Sequence, residues 1–262
     1  MKRLLFLVAL ALCPAALAQG AGKEAKPAGS VNWQGQVLKA TGSGAPDMRA
    51  SSAAQARLGA ETAAKMDALR NLISQARGIR ISSDKTVGDA MAKEEIRGRV
   101  EGVIRGYRIS DKRYFSDQGV ELDVEVPLAA ISSVVNAAEP TEAIAVKTDG
   151  EPTHTGLVVD ARGLGVKPAL SPKLLDGEGK ALYSAGCLSE EARKQKAPAS
   201  YFPSLDSATG HKDLVGAKPL VVKASKASGS DLVLDAEAAK LLVSGNNAYL
   251  AEGRVAIVTD QR

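Results

Sequence analysis

Aromatic residues, histidine and cysteine are scarce in this sequence of 262 residues. Aromatic side chains make up 3%, Trp33 is the one tryptophan, and there are two histidines and two cysteines. So few aromatic side chains disfavour a stacking platform for single-stranded nucleic acid. His154 and His211 lie far apart, and neither has a cysteine or a second histidine at ligand spacing. We therefore expect no metal site and no cofactor.

Long hydrophobic runs are also missing. The stretch from Leu4 to Leu12 is about half of the roughly 20 residues that a membrane-spanning helix requires. It follows two basic residues and precedes Pro14 and a small-residue cleavage motif. That order predicts a signal peptide over residues 1–18, cleaved between Ala18 and Gln19. The mature protein would be periplasmic or secreted and would have no transmembrane segment.

A cysteine after an apolar run raises the alternative of lipidation, which would tether the chain to a membrane. Lipoprotein processing requires a small residue before the cysteine, and Leu12 precedes Cys13, so a tether through Cys13 is disfavoured. Cleavage after residue 18 leaves 32 basic and 30 acidic residues, and this weak net charge, with export, argues against a nucleic-acid partner. Cys187 then remains alone; a buried side chain is favoured, and a free thiol or an intermolecular bridge stays open.

The chain divides by composition, with a polar stretch near its middle that contains Pro140, Gly150 and Pro152. Strand and helix patterns mix on both sides of this stretch, which predicts the α+β class. We expect two small two-layer domains, each a mostly antiparallel sheet covered by one or two helices. The predicted segments are a signal peptide (1–18), a flexible leader (19–30), an α+β domain (31–138), a linker (139–152) and a second domain (153–262).

The clearest predicted element is a helix that begins at a capping box formed by Ser52 and Gln55 and ends at Gly78. One of its faces carries larger side chains at helical spacing: Leu58, Thr62, Met66, Leu69, Ile73 and Ala76. A second face carries alanines, which let another backbone approach closely. We expect the helix to pack on both faces or to lie flat on a sheet.

Other patterns predict shorter elements along the chain. The predicted elements are a strand over 31–41, a short strand over 79–81, a helix over 86–95, a helix end passing into a twisted strand over 96–109, a strand over 120–126 that closes a hairpin, a short helix over 128–138, a strand from 156, a hairpin over 173–184, a helix over 189–196, a loop over 197–218, strands over 220–224 and 231–234, a helix over 236–243 and a closing strand over 255–259.

Residues from about 50 to 127 resemble a known bacterial family. The resemblance rests on an ordered set of residues in and after the long helix: Arg57, Arg70, Asn71, Leu72, Gly78, Thr86, Asp89, Gly102 and Gly106. This set is similar to the family of small outer-membrane-associated lipoproteins, whose domain also resembles the N-terminal domain of flagellar assembly protein T. The resemblance implies an envelope location, a structural or assembly role, and no catalytic residues.

Motifs for chemistry are weak in the rest of the chain. No Gly-x-Ser-x-Gly elbow is present, and the Ser-x-x-Lys spacing of Ser82 and Lys85 lacks its partner motifs, so we interpret it as chance. The glycines at 163 and 165 run into Pro168 instead of a helix, which does not suit phosphate binding. We predict no catalytic, cofactor-binding or metal-binding residues.

Asp160 and Arg162 form the most interesting charged pair, because a strand would place both on one face and Leu157, Val159 and Ala161 on the other. We interpret the pair as structural, with a partner or anion contact as the alternative. The function expected is non-enzymatic binding to an envelope or flagellar-type protein or surface. The alternatives are an envelope hydrolase and a small-ligand binder with its site in the second domain.

Overall fold

A computed structural model describes residues 29–138 and 144–260. The predicted signal peptide, its cleavage site between Ala18 and Gln19, Cys13 and most of the leader lie outside these residues. Residues 139–143 of the predicted linker also lie outside them. Below, the N-terminal half means residues 29–138 and the C-terminal half means residues 144–260.

The N-terminal half contains a four-stranded antiparallel sheet with strand order β1-β2-β4-β3. The helices follow or interrupt the strands along the chain. The elements are β1 (Gly29–Asn32), β2 (Val37–Gly44), α1 (Ala53–Gly78), α2 (Val87–Ala90), α3 (Glu94–Arg105), β3 (Arg108–Tyr114), β4 (Val120–Pro127) and α4 (Leu128–Ala138).

Helix α1 has the predicted bounds, but its face of larger side chains is not the buried one. The buried face consists of small residues and one leucine: Ala56, Ala60, Ala64, Ala68, Leu72 and Ala76. Leu58 is 67% exposed and Met66 is 65% exposed. Although α1 spans 26 residues, no helix among residues 29–138 and 144–260 is long and apolar enough to cross a membrane.

The alanine face of α1 is buried because strand β2 approaches it backbone to backbone. A Cβ atom added at Gly42 would lie 2.2 Å from the carbonyl oxygen of Ala64, and one added at Gly44 would lie 1.9 Å from that of Ala60. Glycines on the strand and alanines on the helix therefore remove the side chains that would hold the two backbones apart.

Several N-terminal elements differ from the sequence predictions. The predicted strand over 31–41 is a hairpin, β1 and β2, that turns at residues 33–36. The short strand over 79–81 is a single bridge from Arg80 to Thr86. The segment 96–109, predicted as a helix end passing into a twisted strand, is mostly helical, because α3 runs through Gly98 and Gly102 to Arg105 and β3 begins at Arg108. The β3–β4 hairpin and α4 are confirmed.

The C-terminal half contains a seven-stranded sheet with strand order β7-β6-β10-β9-β5-β11-β8. The elements are β5 (Leu157–Asp160), β6 (Leu174–Leu175), β7 (Ala181–Tyr183), α5 (Glu190–Gln195), β8 (Ser200–Phe202), α6 (Leu205–Gly210), α7 (Lys212–Val215), β9 (Leu220–Ser228), β10 (Asp231–Leu234), α8 (Ala236–Ser244), α9 (Ala248–Ala251) and β11 (Val255–Val258).

The α+β class is confirmed, and the second sheet differs from the expectation in detail. Strands β9, β5, β11 and β8 run parallel, and antiparallel pairing is confined to β10 with β9 and β6 with β7. Helices cover both faces of the parallel strands. Residues of α6 and α7 pack with Val158 and Val258, whereas α8 and α9 pack on the face of Val159 and Ile257.

The predicted loop over 197–218 is wrong, because it contains β8, α6 and α7. These elements have three to six residues, too few for a hydrophobic period to show in the sequence. The hairpin of β6 and β7 and the helices α5 and α8 are confirmed, and Ser189 and Asp235 are the N-caps of these helices.

The two halves meet through hydrogen bonds centred on Ser83. Its hydroxyl donates to the Ser228 carbonyl at 2.6 Å and accepts from the backbone N–H groups of Ser230 at 3.1 Å and Asp231 at 3.2 Å. The Ser171 hydroxyl donates to the side-chain oxygen of Asn136 at 2.7 Å. The halves are therefore in direct contact.

Leu170 and Trp33 lie between the two cores. Leu170 follows the predicted linker in sequence, but it is fully buried in the N-terminal core, and its N–H donates to the Arg80 carbonyl. Trp33 packs against both cores, with its ring edge on Tyr201 at a centroid distance of 5.4 Å. Packing across the joint thus extends each core with residues from the other half.

Candidate functional site

Asp160 and Arg162 form the pair that the sequence predicts, at the carboxyl end of the parallel strand β5. The guanidinium donates to both carboxylate oxygens, at 2.8 and 2.7 Å, and the Arg162 N–H donates to the same carboxylate at 3.2 Å. The hydrogen bonds from Arg162 lower the pKa of Asp160. Leu157, Val159 and Ala161 face the core on the other side.

This position is where open sheets with parallel strands commonly bind ligands. Here the polar groups form hydrogen bonds within the loop that follows β5. The Asp160 carboxylate accepts the N–H of Arg162, and the Asp260 carboxylate accepts the N–H of Gly163. Arg162 is already satisfied by a bidentate partner. The geometry therefore favours the structural interpretation over an anion site.

Most residues of the family pattern have identifiable structural contacts. The Asn71 side chain donates to the Thr41 carbonyl at 2.8 Å, and Asp67 accepts from the Ser43 N–H at 3.0 Å. Strand β1 pairs only with residues 37–40 of β2. Helix α1 thus supplies hydrogen bonds to the part of β2 that β1 does not reach, which protects that edge.

The other helix residues of the pattern also support the fold. Leu72 is fully buried in the core, and Arg70 lies 3.4 Å from Asp67 in an exposed ion pair. Gly78 is the last residue of α1. The Arg57 guanidinium donates to the Gln118 side chain at 2.9 Å. The residues of the pattern on α1 therefore lie in the core, at the helix end, or in contact with the sheet and its turn.

Thr86 and Asp89 form a complete capping box at the start of α2. The Thr86 hydroxyl accepts the Asp89 N–H, while the Asp89 carboxylate accepts the Thr86 N–H at 2.8 Å. Hydrogen bonds that the Thr86 hydroxyl and the Thr86 N–H donate to the carboxylate lower the pKa of Asp89. Gly102 lies exposed inside α3, and Gly106 follows its last residue as the C-cap.

The basic residues of β3 are paired with carboxylates across the open face of the sheet. Arg113 contacts Asp111, Glu121 and Asp123, and these carboxylates, Asp123 foremost, raise its pKa. Arg108 pairs with Glu125. The positive charges of Arg108 and Arg113 are therefore neutralised by carboxylates on the same and the neighbouring strand.

An exposed apolar surface, which the sequence analysis missed, lies where α1 meets the β3–β4 turn. Tyr114 is 49% exposed and Phe115 is 48% exposed. The Tyr114 hydroxyl lies 3.4 Å from Glu61 of α1, and Leu58 lies one turn before Glu61. We call Leu58, Tyr114 and Phe115 the hairpin surface. The one sign of the hairpin surface in the sequence is the alanine face of α1. Because that face is buried, Leu58 is turned outward.

Charged residues hold the hairpin surface in place. Glu61 accepts hydrogen bonds from Lys65 at 2.8 Å and Lys112 at 2.9 Å, and these cations lower its pKa to about 2. The Arg57 guanidinium lies 5.4 Å from the centre of the Tyr114 ring, within cation–π range. The aromatic residues at the turn are thus anchored to the helix.

Histidine and cysteine form no cluster in the part of the chain that the structure describes. Among residues 29–138 and 144–260, no group of three or more His, Cys, Asp or Glu side chains is arranged to hold a metal ion. The His211 ring lies 5.5 Å from the ring of Phe202. Cys187 is free and buried, as favoured, and burial raises the pKa of its thiol.

Residues 156–261 match a family described as the second domain of Treponema pallidum Tp0624. The match begins one residue before β5 and includes β11, so it covers the mixed sheet and its helices. No curated protein matches the chain.

Proposed function

We propose that the protein is an exported, non-enzymatic protein of the bacterial envelope that acts by binding a protein partner through the hairpin surface. The observation that carries the proposal is the exposure of Tyr114 and Phe115 at the β3–β4 turn together with that of Leu58, which lies on α1 one turn before the Glu61 that Tyr114 contacts. Exposed aromatic and aliphatic side chains grouped on a surface are typical of interaction sites.

The resemblance of residues 50–127 to the outer-membrane-associated lipoprotein family supports the envelope location. The signal-peptide pattern ending at Ala18 supports export. The partner is proposed to be an envelope or flagellar-type assembly protein, and the Arg57 guanidinium beside Tyr114 suits an acidic group on it.

The test compares the hairpin surface with equally exposed apolar residues elsewhere. A photoreactive phenylalanine analogue replaces Phe115 in one variant and Leu241 in another, since both side chains are 48% exposed. We expect a discrete cross-linked product in the envelope fraction from position 115 and none from position 241. Adding Tyr114→Ser removes the product, whereas adding Val221→Ser, at a residue 49% exposed on β9, leaves it.

Two results would count against the proposal. Equal cross-linking from both positions means that the hairpin surface has no specific partner. Recovery of the protein in the cytoplasmic fraction contradicts export, independently of any partner.

A further inference from the structure

An open cleft of about 350 Å³ lies at the joint between the two halves. Its volume falls within the roughly 300–1,000 Å³ of small-molecule sites, which are often found at such junctions. The N-terminal half lines it with Trp33, Gln75 and Arg80, and the C-terminal half lines it with Val166, Lys167 and Pro168. The cleft is therefore complete only where the two halves meet.

Three polar side chains that line the cleft have no partner among the described residues. The side chains of Gln75, Arg80 and Lys167 make no hydrogen bond and no ion pair within residues 29–138 and 144–260. Gln75 and Arg80 are half-buried and Lys167 is exposed, so a ligand can reach all three from the cleft. A guanidinium is a planar fork of N–H donors, and the donors of Arg80 are available to a ligand.

The cleft is positively charged. Its two ionised side chains, Arg80 and Lys167, are cations, and no aspartate or glutamate belongs to the part of its lining that the structure describes. By contrast, Arg108 and Arg113 of β3 are neutralised by carboxylates. The unpaired charge of the cleft suits an anion, and guanidinium groups favour carboxylates because both oxygens can be bound at once.

The two cations are close enough to hold one anionic group. The Leu170 N–H donates to the Arg80 carbonyl at 2.8 Å, so the backbone of the second half lies directly against Arg80. Lys167 precedes Leu170 in the same segment by a chain length of at most about 11 Å. Because both side chains have long stems and line the same cleft, their charged ends can meet on one carboxylate.

Trp33 gives the cleft a planar apolar wall. The half-buried indole meets Tyr201 at a centroid distance of 5.4 Å, and the Tyr201 hydroxyl accepts the Ala169 N–H at 3.0 Å. These contacts fix Trp33 relative to the neighbouring Pro168. The lining has one neutral polar side chain, Gln75, so a ligand with many hydroxyl groups would lose hydrogen bonds to water without replacement. A flat apolar ring suits this wall better.

We propose that this cleft binds a small aromatic carboxylate. Its carboxylate pairs with Arg80 and Lys167 and accepts from the Gln75 amide, and its ring packs on Trp33 and Pro168. The cleft lies at the C-terminal end of α1, whereas the hairpin surface lies near the N-terminal end of the helix, roughly 25 Å away. The proposal therefore does not depend on the proposed partner binding.

The test titrates the full mature chain with phenylacetate and follows the fluorescence of Trp33, which lines the cleft and is the one tryptophan. We expect a saturable change in emission. Acetate lacks the ring and phenylacetamide lacks the charge, so each should bind at least tenfold more weakly. Absence of saturable binding by both phenylacetate and 3-phenylpropionate overturns the proposal, and so does equal affinity for acetate or phenylacetamide.

Variants assign the binding to the cleft. Arg80→Met and Lys167→Met each remove one cation and keep an unbranched side chain, and each should weaken binding at least tenfold. The matched control is Arg77→Met, because Arg77 is an exposed cation near the end of α1 that does not line the cleft, and its affinity should be unchanged. Lys167 is exposed, so Lys167→Met covers any failure of Arg80→Met to fold. Unchanged affinity in Lys167→Met, or an equal loss in Arg77→Met, overturns the assignment.

Discussion

Gly42 and Gly44 set how closely β2 and α1 can approach. At both positions an added Cβ would lie within 2.2 Å of the helix backbone, and a backbone cannot rotate out of the way as a side chain can. Glycine is required at these positions because there is no room for a Cβ atom. The backbone conformation does not require it, since neither residue has a positive φ.

We expect Gly42→Ala to lower the free energy of unfolding by about 3 kcal/mol or more, because the sheet and α1 must separate. Urea denaturation followed by circular dichroism measures the change. The control is Gly102→Ala on α3, where an added Cβ meets nothing within 4 Å. That substitution should raise stability by up to about 1 kcal/mol through helix propensity. Equal effects of the two substitutions would refute the close-approach argument.

At the scale of secondary-structure elements, ion pairs join α1 to β3. Glu61 contacts Lys112 of β3, and its side chain is 19% exposed. Its pKa is about 2 in the folded protein, compared with 4.5 for an ordinary glutamate. A lowered folded-state pKa stabilises the fold above the unfolded pKa, and this stabilisation is lost as pH falls.

We expect Glu61→Gln to destabilise the protein at pH 7 by about 1 kcal/mol, a typical value for exposed or partly exposed pairs. The difference from the unsubstituted protein should shrink as the pH falls from about 4.5 to about 2. Urea unfolding at a series of pH values measures it. Glu178→Gln, at an exposed turn carboxylate without an ion pair in the described residues, is the control and should show no such dependence. A difference in unfolding free energy that stays constant with pH would refute the assignment of a lowered pKa to Glu61.

Long or strictly alternating elements could be predicted from the sequence. Helix α1 and strand β4 have clear periods, and both lie where expected. Of the two expectations for α1, a helix lying flat on a sheet through its alanines is confirmed, and packing on both faces is wrong, because Leu58 and Met66 are exposed. The sequence of the helix does not show that its neighbour is a strand of glycines. Close packing therefore selected the smaller side chains.

Elements that depend on distant partners could not be predicted. Strand β8 has three residues and is a strand because it pairs in parallel with β11, more than fifty positions later. Prediction of the candidate functional sites from the sequence has the same limit. Asp160 and Arg162 are close in sequence and were found, whereas the hairpin surface combines segments that only the fold brings together.

At the scale of the whole molecule, Ser83 joins the two halves. Replacing its hydroxyl would leave the N–H groups of Ser230 and Asp231 and the Ser228 carbonyl without this partner. Ser83 is also in close contact with Gly229, since a Cβ added there would lie 3.0 Å from it. Few side chains would fit in place of serine.

We expect Ser83→Ala to lower the free energy of unfolding by about 0.5–1.5 kcal/mol, the net value of a typical hydrogen bond, because the groups that Ser83 contacts are partly exposed. Chemical denaturation followed by Trp33 fluorescence measures it, because Trp33 packs against both cores. The control is Ser116→Ala in the exposed β3–β4 turn, which should change stability by less than about 0.5 kcal/mol. An unchanged unfolding midpoint in Ser83→Ala would show that the joint contributes nothing.

The burial of Leu170 in the core of the other half has a consequence for how this protein can be divided. A fragment that ends in the predicted linker over 139–152 would lack Leu170 and leave the space of one leucine side chain empty, and cavities of that size cost about 2–5 kcal/mol. Recombination of the N-terminal half with another protein would therefore require a replacement for Leu170. Extending the fragment to residue 171 would keep Leu170 but would also separate β5 from its partners β9 and β11, so neither division leaves both cores complete.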